Sequence, residues 1–303
     1  MKRVAIVVIL VIAAAVLGLW RTSGGVRQGL NRVVGASSEQ GQGDAREEIR
    51  KSFQLQPGAR VEVQGINGKV DIQTSDTNTA EVYVLRTAGS RDGLARREVT
   101  VEQTSTGLLV KARQIGHGFW EHLFHTQAKE EVTIKAPRQI ALALRGINGR
   151  VTSGDITGAL EMKGINGRVE LGQANDSADI SGINGSVTVG FNKLSGPGVH
   201  VSGINGNIEF RIPVGFNADL NAHGMNGRVV SELPDVTIDK GEYGSRYSAH
   251  IGTGGPPIEI SGINGNVRLT RGQSSAGSSA STDKKSTSDQ TESETSKSQK
   301  DDH

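Results

Sequence analysis

One four-residue tag, Gly-Ile-Asn-Gly, returns seven times along this 303-residue chain. Its copies stand at Gly65–Gly68, Gly146–Gly149, Gly164–Gly167, Gly182–Gly185, Gly203–Gly206, Gly224–Gly227 and Gly262–Gly265, and only the sixth departs, with Met225 for Ile. From first glycine to first glycine the spacings are 81, 18, 18, 21, 21 and 38 residues. Recurrence at such a period marks an architecture whose units bury their apolar sides only by stacking on one another.

The flanks of the tag repeat as well. Counted from its first glycine, positions −4, −2, +1, +5 and +7 are apolar in every copy except at Ser153 and Ser231. In the third copy they are Leu160, Met162, Ile165, Val169 and Leu171; in the fifth they are Val199, Val201, Ile204, Ile208 and Phe210. The positions between are mostly polar or glycine, such as Glu161, Lys163, Arg168 and Glu170. Such alternation predicts a strand on each side of a corner. The parity slips by one residue at the first glycine, which predicts a bend or bulge there.

Asn-Gly between strands has two readings. Alone, it is a hairpin signal. Repeated every 18 to 21 residues, it suits a corner on which each coil stacks on the last, with equivalent side chains about 4.8 Å apart. A hairpin has no use for the same Ile-Asn in every copy, whereas a ladder of Asn148, Asn166, Asn184 and Asn205 bonds amide to amide. The expected fold is therefore all-β: a β-solenoid resembling a parallel β-helix, built from these repeats. The seventh copy is expected to be its closing rung.

Around it the chain divides into four parts. Residues 1–22 join a basic Met1–Arg3 to an unbroken apolar run from Val4 to Trp20. This reads as a transmembrane anchor or a cleaved signal helix, and either one exports the rest of the chain. Residues 23–50 read as a flexible linker, 51–272 as the repeat domain, and 273–303, rich in Ser, Thr, Lys and Glu, as a disordered tail. The 81 residues between the first two tags hold expected strands at Glu81–Arg86, Glu98–Gln103, Leu108–Ala112 and Glu131–Lys135, with a short helix over Ser90–Arg97. They are expected to cap the stack. Residues Gly116–His125 gather three histidines and three aromatics. His122 and His125 lack the further ligands of a metal site, and a packed loop or amphipathic cap is expected there.

The outward positions carry what chemistry there is. Position +4 holds Arg150 and Arg168 and position −1 holds Arg145 and Lys163, so these four are expected to crowd one corner on adjacent rungs. Such a group could grip an anionic partner; the same residues also suit a solvated face of cross-strand ion pairs. The chain has no cysteine, which excludes disulfides, thiolate metal sites and cysteine nucleophiles. A net charge of +2 gives no reason to expect a nucleic-acid partner. No phosphate loop, HExxH motif or Ser-His-Asp arrangement is visible, and no cofactor is expected.

With these features the chain resembles the bacterial "putative adhesin" family of envelope domains, of the type with GIN-like adhesin-head repeats. The resemblance covers about residues 50 to 270. It rests on the recurring Asn-Gly-x-Val tags, on Glu130–Arg138 before Leu142 and Leu144, and on the closing Gly-Gly-Pro-Pro-Ile-Glu-Ile and Asn-Gly-Asn-Val-Arg-Leu. It implies a β-solenoid in the bacterial cell envelope and is nearly silent on activity. Three functions are compatible with the sequence. The first is a non-enzymatic, adhesin-like or scaffolding protein, anchored in a membrane with its solenoid periplasmic or extracellular and meeting an envelope polysaccharide or protein. The second is an envelope-stress accessory that binds a membrane regulator. The third is a polysaccharide-cleaving enzyme using carboxylates such as Asp155, Asp176 and Asp179.

Overall fold

The computed structural model describes residues 45–115, 128–241 and 244–272. The apolar amino-terminal run, most of the expected linker, the tail and the whole of Gly116–His125 lie outside these residues. The fold is all-β, with one short helix among the described residues.

The first half contains β1 (Ala45–Gln54), β2 (Ala59–Gln64), β3 (Gly68–Ser75), β4 (Thr79–Ala88), the helix α1 (Arg91–Ala95), β5 (Arg97–Gln103), β6 (Gly107–Gln114) and β7 (Lys129–Pro137). The regular repeats come next as β8 (Ile140–Arg145), β9 (Asn148–Ser153), β10 (Leu160–Lys163), β11 (Asn166–Ala174), β12 (Ala178–Ser181), β13 (Asn184–Phe191), β14 (Val199–Asn205) and β15 (Ile208–Ile212). The chain ends with β16 (Ala218–His223), β17 (Val229–Ser231), β18 (Asp239–Lys240), β19 (Tyr247–Ile251), β20 (Pro257–Asn264) and β21 (Val267–Arg271). The sheet thus begins at Ala45, inside the stretch read as linker to residue 50.

The strands pair in two ladders that meet at the tags. Strands leading into a tag form one, extended at its ends by β5 and β6 and by β19 and β18, in the order β5-β6-β2-β8-β10-β12-β14-β20-β16-β19-β18. Strands leaving a tag form the other, extended at one end by β7, β4 and β1, in the order β1-β4-β7-β3-β9-β11-β13-β15-β21-β17. Between repeats the pairing is parallel and in register, as in Val169 opposite Val151 and Val187. Among the described residues antiparallel pairs occur only near the ends: β1-β4, β4-β7 and β5-β6 at one, β16-β19 and β18-β19 at the other.

The predicted apolar positions fill one continuous core between the ladders. Leu160, Met162, Ile165, Val169 and Leu171 are all buried, and the rings of Phe191 and Phe210 meet with centroids 5.6 Å apart. Burial of aliphatic side chains on two facing ladders is the main source of stability.

The tag makes the corner through two different glycine requirements. Its first glycine is left-handed, with φ of +60° to +70° in all seven copies, and this produces the parity slip. Its last glycine has φ of +144° to +154° and lies flat against the backbone of the adjacent rung. A Cβ on Gly206 would overlap the carbonyl oxygen of Gly185, with the carbonyl carbon 2.7 Å away. Ile points into the core between them and Asn points out.

One expectation needs correction. The seventh tag, expected to close the stack, lies between the fifth and the sixth. β20 pairs with β14 on one side and β16 on the other, and β21 pairs with both β15 and β17. The sixth copy, reached first by the chain, is therefore the outer one.

The edges are blunted. At the amino-terminal end β1 and β5 are tied together by Lys51 Nζ to the Val101 carbonyl at 2.8 Å and Gln103 Nε2 to the Gln54 carbonyl at 2.9 Å. At the other end the edge strands β17 and β18 have only three and two residues. Short or covered edges resist pairing with other chains.

Candidate functional site

The outward side chains of the repeats fall into three columns: a charged face on the first ladder, the asparagines at the corner, and a second charged face beyond it.

On the first ladder, parallel register sets Glu62, Ala143, Glu161, Asp179, His200 and Glu259 in one row. Glu161 is its centre. Its carboxylate receives Arg60 Nη2 at 2.5 Å, Arg145 Nη2 at 2.6 Å and Lys163 Nζ at 3.2 Å. Burial acts to raise the Glu161 carboxyl, but the hydrogen bonds from Arg60, Arg145 and Lys163 outweigh it and hold the group at about 2. Arg145 also reaches Glu62 at 3.4 Å, and Lys163 reaches Asp179 at 3.0 Å.

At the corner the asparagines form the expected ladder, longer than the four residues predicted. Nδ2 donates to the preceding Oδ1 from Asn148 to Asn67 at 3.1 Å, Asn184 to Asn166 at 3.4 Å, Asn205 to Asn184 at 3.2 Å, Asn264 to Asn205 at 3.0 Å and Asn226 to Asn264 at 2.9 Å. Asn166 and Asn148 are partners in backbone register. The donors all point the same way, toward Asn67, whose own Nδ2 donates to the Ala128 carbonyl at 3.1 Å. Neighbouring amide dipoles thus align head to tail.

On the second ladder, Arg168 is in register with Arg150, and Lys69 stands one residue before the Val70–Val151 pair. Three cations therefore succeed one another up the stack. Arg168 has a carboxylate only at 3.6 Å, on Glu170, and Arg150 has no ion pair among the described residues. Like charges in adjacent register repel. Asp71 on the same face is engaged by Thr152 Oγ1 at 2.6 Å and Gln73 Nε2 at 3.0 Å.

The four cations expected at one corner are thus divided. Arg145 and Lys163 lie on one ladder, held by carboxylates. Arg150 and Arg168 lie on the other, turned to solvent. The carboxylates considered for hydrolysis stand apart. Asp155 accepts the Gln173 N–H at 2.8 Å and meets Arg138 at 3.4 Å; Asp176 accepts the Ser195 hydroxyl; Asp179 holds Lys163. Among the described residues no group of three or more His, Asp or Glu is arranged to hold a metal ion.

Sequence reasoning missed two buried charges. Glu130 is fully buried, with Arg97 Nε at 2.6 Å and the Asn67 N–H at 2.8 Å on its carboxylate. Arg97 Nη2 also donates to the Gly65 carbonyl at 2.7 Å, so the pair fastens the first tag to the cap. Arg86 is buried beside it, bonded to Glu47 and to the carbonyls of Leu94 and Arg97. Alternation could have found both. Val132, Ile134 and Ala136 set the inward parity of β7, and Glu130 shares it; Ala80, Val82 and Val84 do the same for Arg86 in β4.

No family model matches the chain, and no curated protein matches it. Solved structures that resemble it include a protein from Clostridium sporogenes described as a "putative cell adhesion protein", at 13% identity and a TM-score of 0.38, covering 74% of this chain and 100% of that one. A "putative adhesin" from Bacteroides fragilis has 8% identity and a TM-score of 0.32, covering 74% and 97%. A "putative lipid binding protein" from Parabacteroides distasonis has 10% identity and a TM-score of 0.28, with the same coverage. Similarity of this degree assigns no activity to this chain.

Proposed function

We propose that the chain is a non-enzymatic protein of the bacterial cell envelope, a β-solenoid domain held at a membrane by residues 1–22 and displayed on its outer side as an adhesin-like or scaffolding surface. The parallel register of all seven tags carries this reading: the same asparagine recurs rung after rung, with Arg150 and Arg168 in register beside it. What repeats is small amides and charge. Such a surface suits contact with a repetitive partner better than catalysis at one point. The apolar run from Val4 to Trp20 supports export and anchoring.

The partner is an anionic envelope polymer, met on the second ladder by Arg150 and Arg168 beside the asparagine row. Arg145 and Lys163 serve the ion-pair network of the first ladder instead. The test is capture of envelope polysaccharide by the full chain, with membrane fractionation to establish its location. Replacing Arg150 and Arg168 together by Ser should leave folding unchanged and weaken capture about tenfold, as expected for two charge-assisted contacts. Capture unaffected by that change, or a chain found in the cytoplasm, refutes the reading.

A further inference from the structure

The geometry points to a second binding site, at the carboxyl-terminal end of the first ladder, for a sugar-sized ligand that carries an oxyanion. Regular rungs give this protein its long faces; a concavity arises where the repeat is interrupted. The 38 residues between the sixth and seventh tags lay β19 antiparallel along β16 instead of adding a rung. The result is an open concavity of about 600 Å³, lined by Asn221, His223, Arg246, Tyr247 and Ser248 with Ala222.

Each of these residues has a reason to be there. Asn221 and His223 occupy the outward parity of β16, and Ser248 stands opposite Asn221. Tyr247 is buried, and its hydroxyl donates to the Gly227 carbonyl at 2.9 Å, which fixes that wall to the sixth tag. Arg246 is exposed and has no ion pair among the described residues.

Two acids near this face, Asp219 and Glu259, have partners of their own. Asp219 meets His250 Nδ1 at 2.6 Å and accepts the Gly255 N–H at 3.1 Å. Glu259 meets His200 at 3.5 Å. Asp239 is exposed and in register with Ser248. The concavity combines a guanidinium that has no ion pair among the described residues with an amide, an imidazole and a hydroxyl. A guanidinium fork binds phosphate or carboxylate in two-point fashion, and the other groups match sugar hydroxyls. The volume lies within the range of small-ligand sites.

The experiment is titration of the full chain with glucose 6-phosphate, glucuronate, glucose and inorganic phosphate, monitored by nuclear magnetic resonance. Glucose 6-phosphate and glucuronate should compete for one site, shifting the amides of β16 and β19, and glucose should bind at least tenfold more weakly. Arg246→Ala should weaken both anionic sugars about tenfold or more, while Arg150→Ser leaves them unchanged. Inorganic phosphate binding as tightly as glucose 6-phosphate would overturn the saccharide part of the assignment. Unchanged binding in Arg246→Ala, or loss in Arg150→Ser, would overturn the site itself.

Discussion

Gly203 and Gly206 belong to one tag, and the structure separates their roles. Gly203 has φ of +62° and only a backbone nitrogen, Gly182 N at 3.8 Å, near a Cβ added to it. Alanine there meets the left-handed penalty of about 1–2 kcal/mol. Stiffening of the unfolded chain returns about 0.4–1 kcal/mol. The net cost is about 1 kcal/mol, and Gly203→Asn should cost less, because Asn adopts this conformation more readily. Gly206 has φ of +147°, in a region that costs a side-chain-bearing residue about 1–3 kcal/mol. Its Cβ would also displace the Gly185 carbonyl, and the neighbouring rung can retreat only by stretching bonds such as Asn205 N to the Ile183 carbonyl at 2.8 Å and Val187 N to the Asn207 carbonyl at 2.9 Å. With about 1 kcal/mol for each such bond, Gly206→Ala should cost about 4 kcal/mol or more. Urea denaturation reads both, through the midpoint at constant slope, and a reduced slope would report partial unfolding of the stack. Equal losses for the two alanine variants would refute the close-contact role of the last glycine.

Three other outcomes rest on the same geometry. The Glu161 carboxyl is lower in the folded chain than its ordinary 4.5, so the stability it contributes is complete above that value and is lost as pH falls toward about 2. With solvent screening by the half-exposed Arg145 and Lys163, the loss should be about 1–2 kcal/mol, and Glu161→Gln should flatten acid-range thermal melts by that amount. Asn184→Ala should cost about 0.5–1 kcal/mol, since the ladder is exposed and water competes for its bonds; Asn184→Asp, which cannot donate to Asn166, should cost more at neutral pH and recover below about pH 4 in the same melts. Glu130→Gln leaves Arg97 without its counter-charge and should cost about 3 kcal/mol by denaturant titration, whereas a loss under about 1 kcal/mol would show the pair to be dispensable.

Alternation made most of the strands legible. The four segments expected between the first two tags correspond to β4, β5, β6 and β7, and the expected helix is α1, capped by Ser90 Oγ on the Gly93 N–H at 3.1 Å. Alternation fixes which side chains face inward, because a strand has only two faces. It does not fix which strand lies beside which. The tags are nearly identical, so any copy fits on any other, and the lengths of intervening chain decide the order. Hence the place of the seventh copy was not legible. The split among Arg145, Lys163, Arg150 and Arg168 was hidden for a related reason. Positions −1 and +4 both point outward, but the corner between them turns the backbone, so the two columns belong to different ladders.

The interposed seventh copy bears on how such a chain can be made. Synthesis and export both deliver a polypeptide from one end, and coils up to the fifth can be laid down in that order. The sixth must then wait, its hydrogen-bonding edge unmet, until residues some forty positions later arrive and slide in beneath it. The final strands act as a keystone: a molecule cut off before Pro257 would hold an open seam across both ladders, and only a fully delivered one can shut.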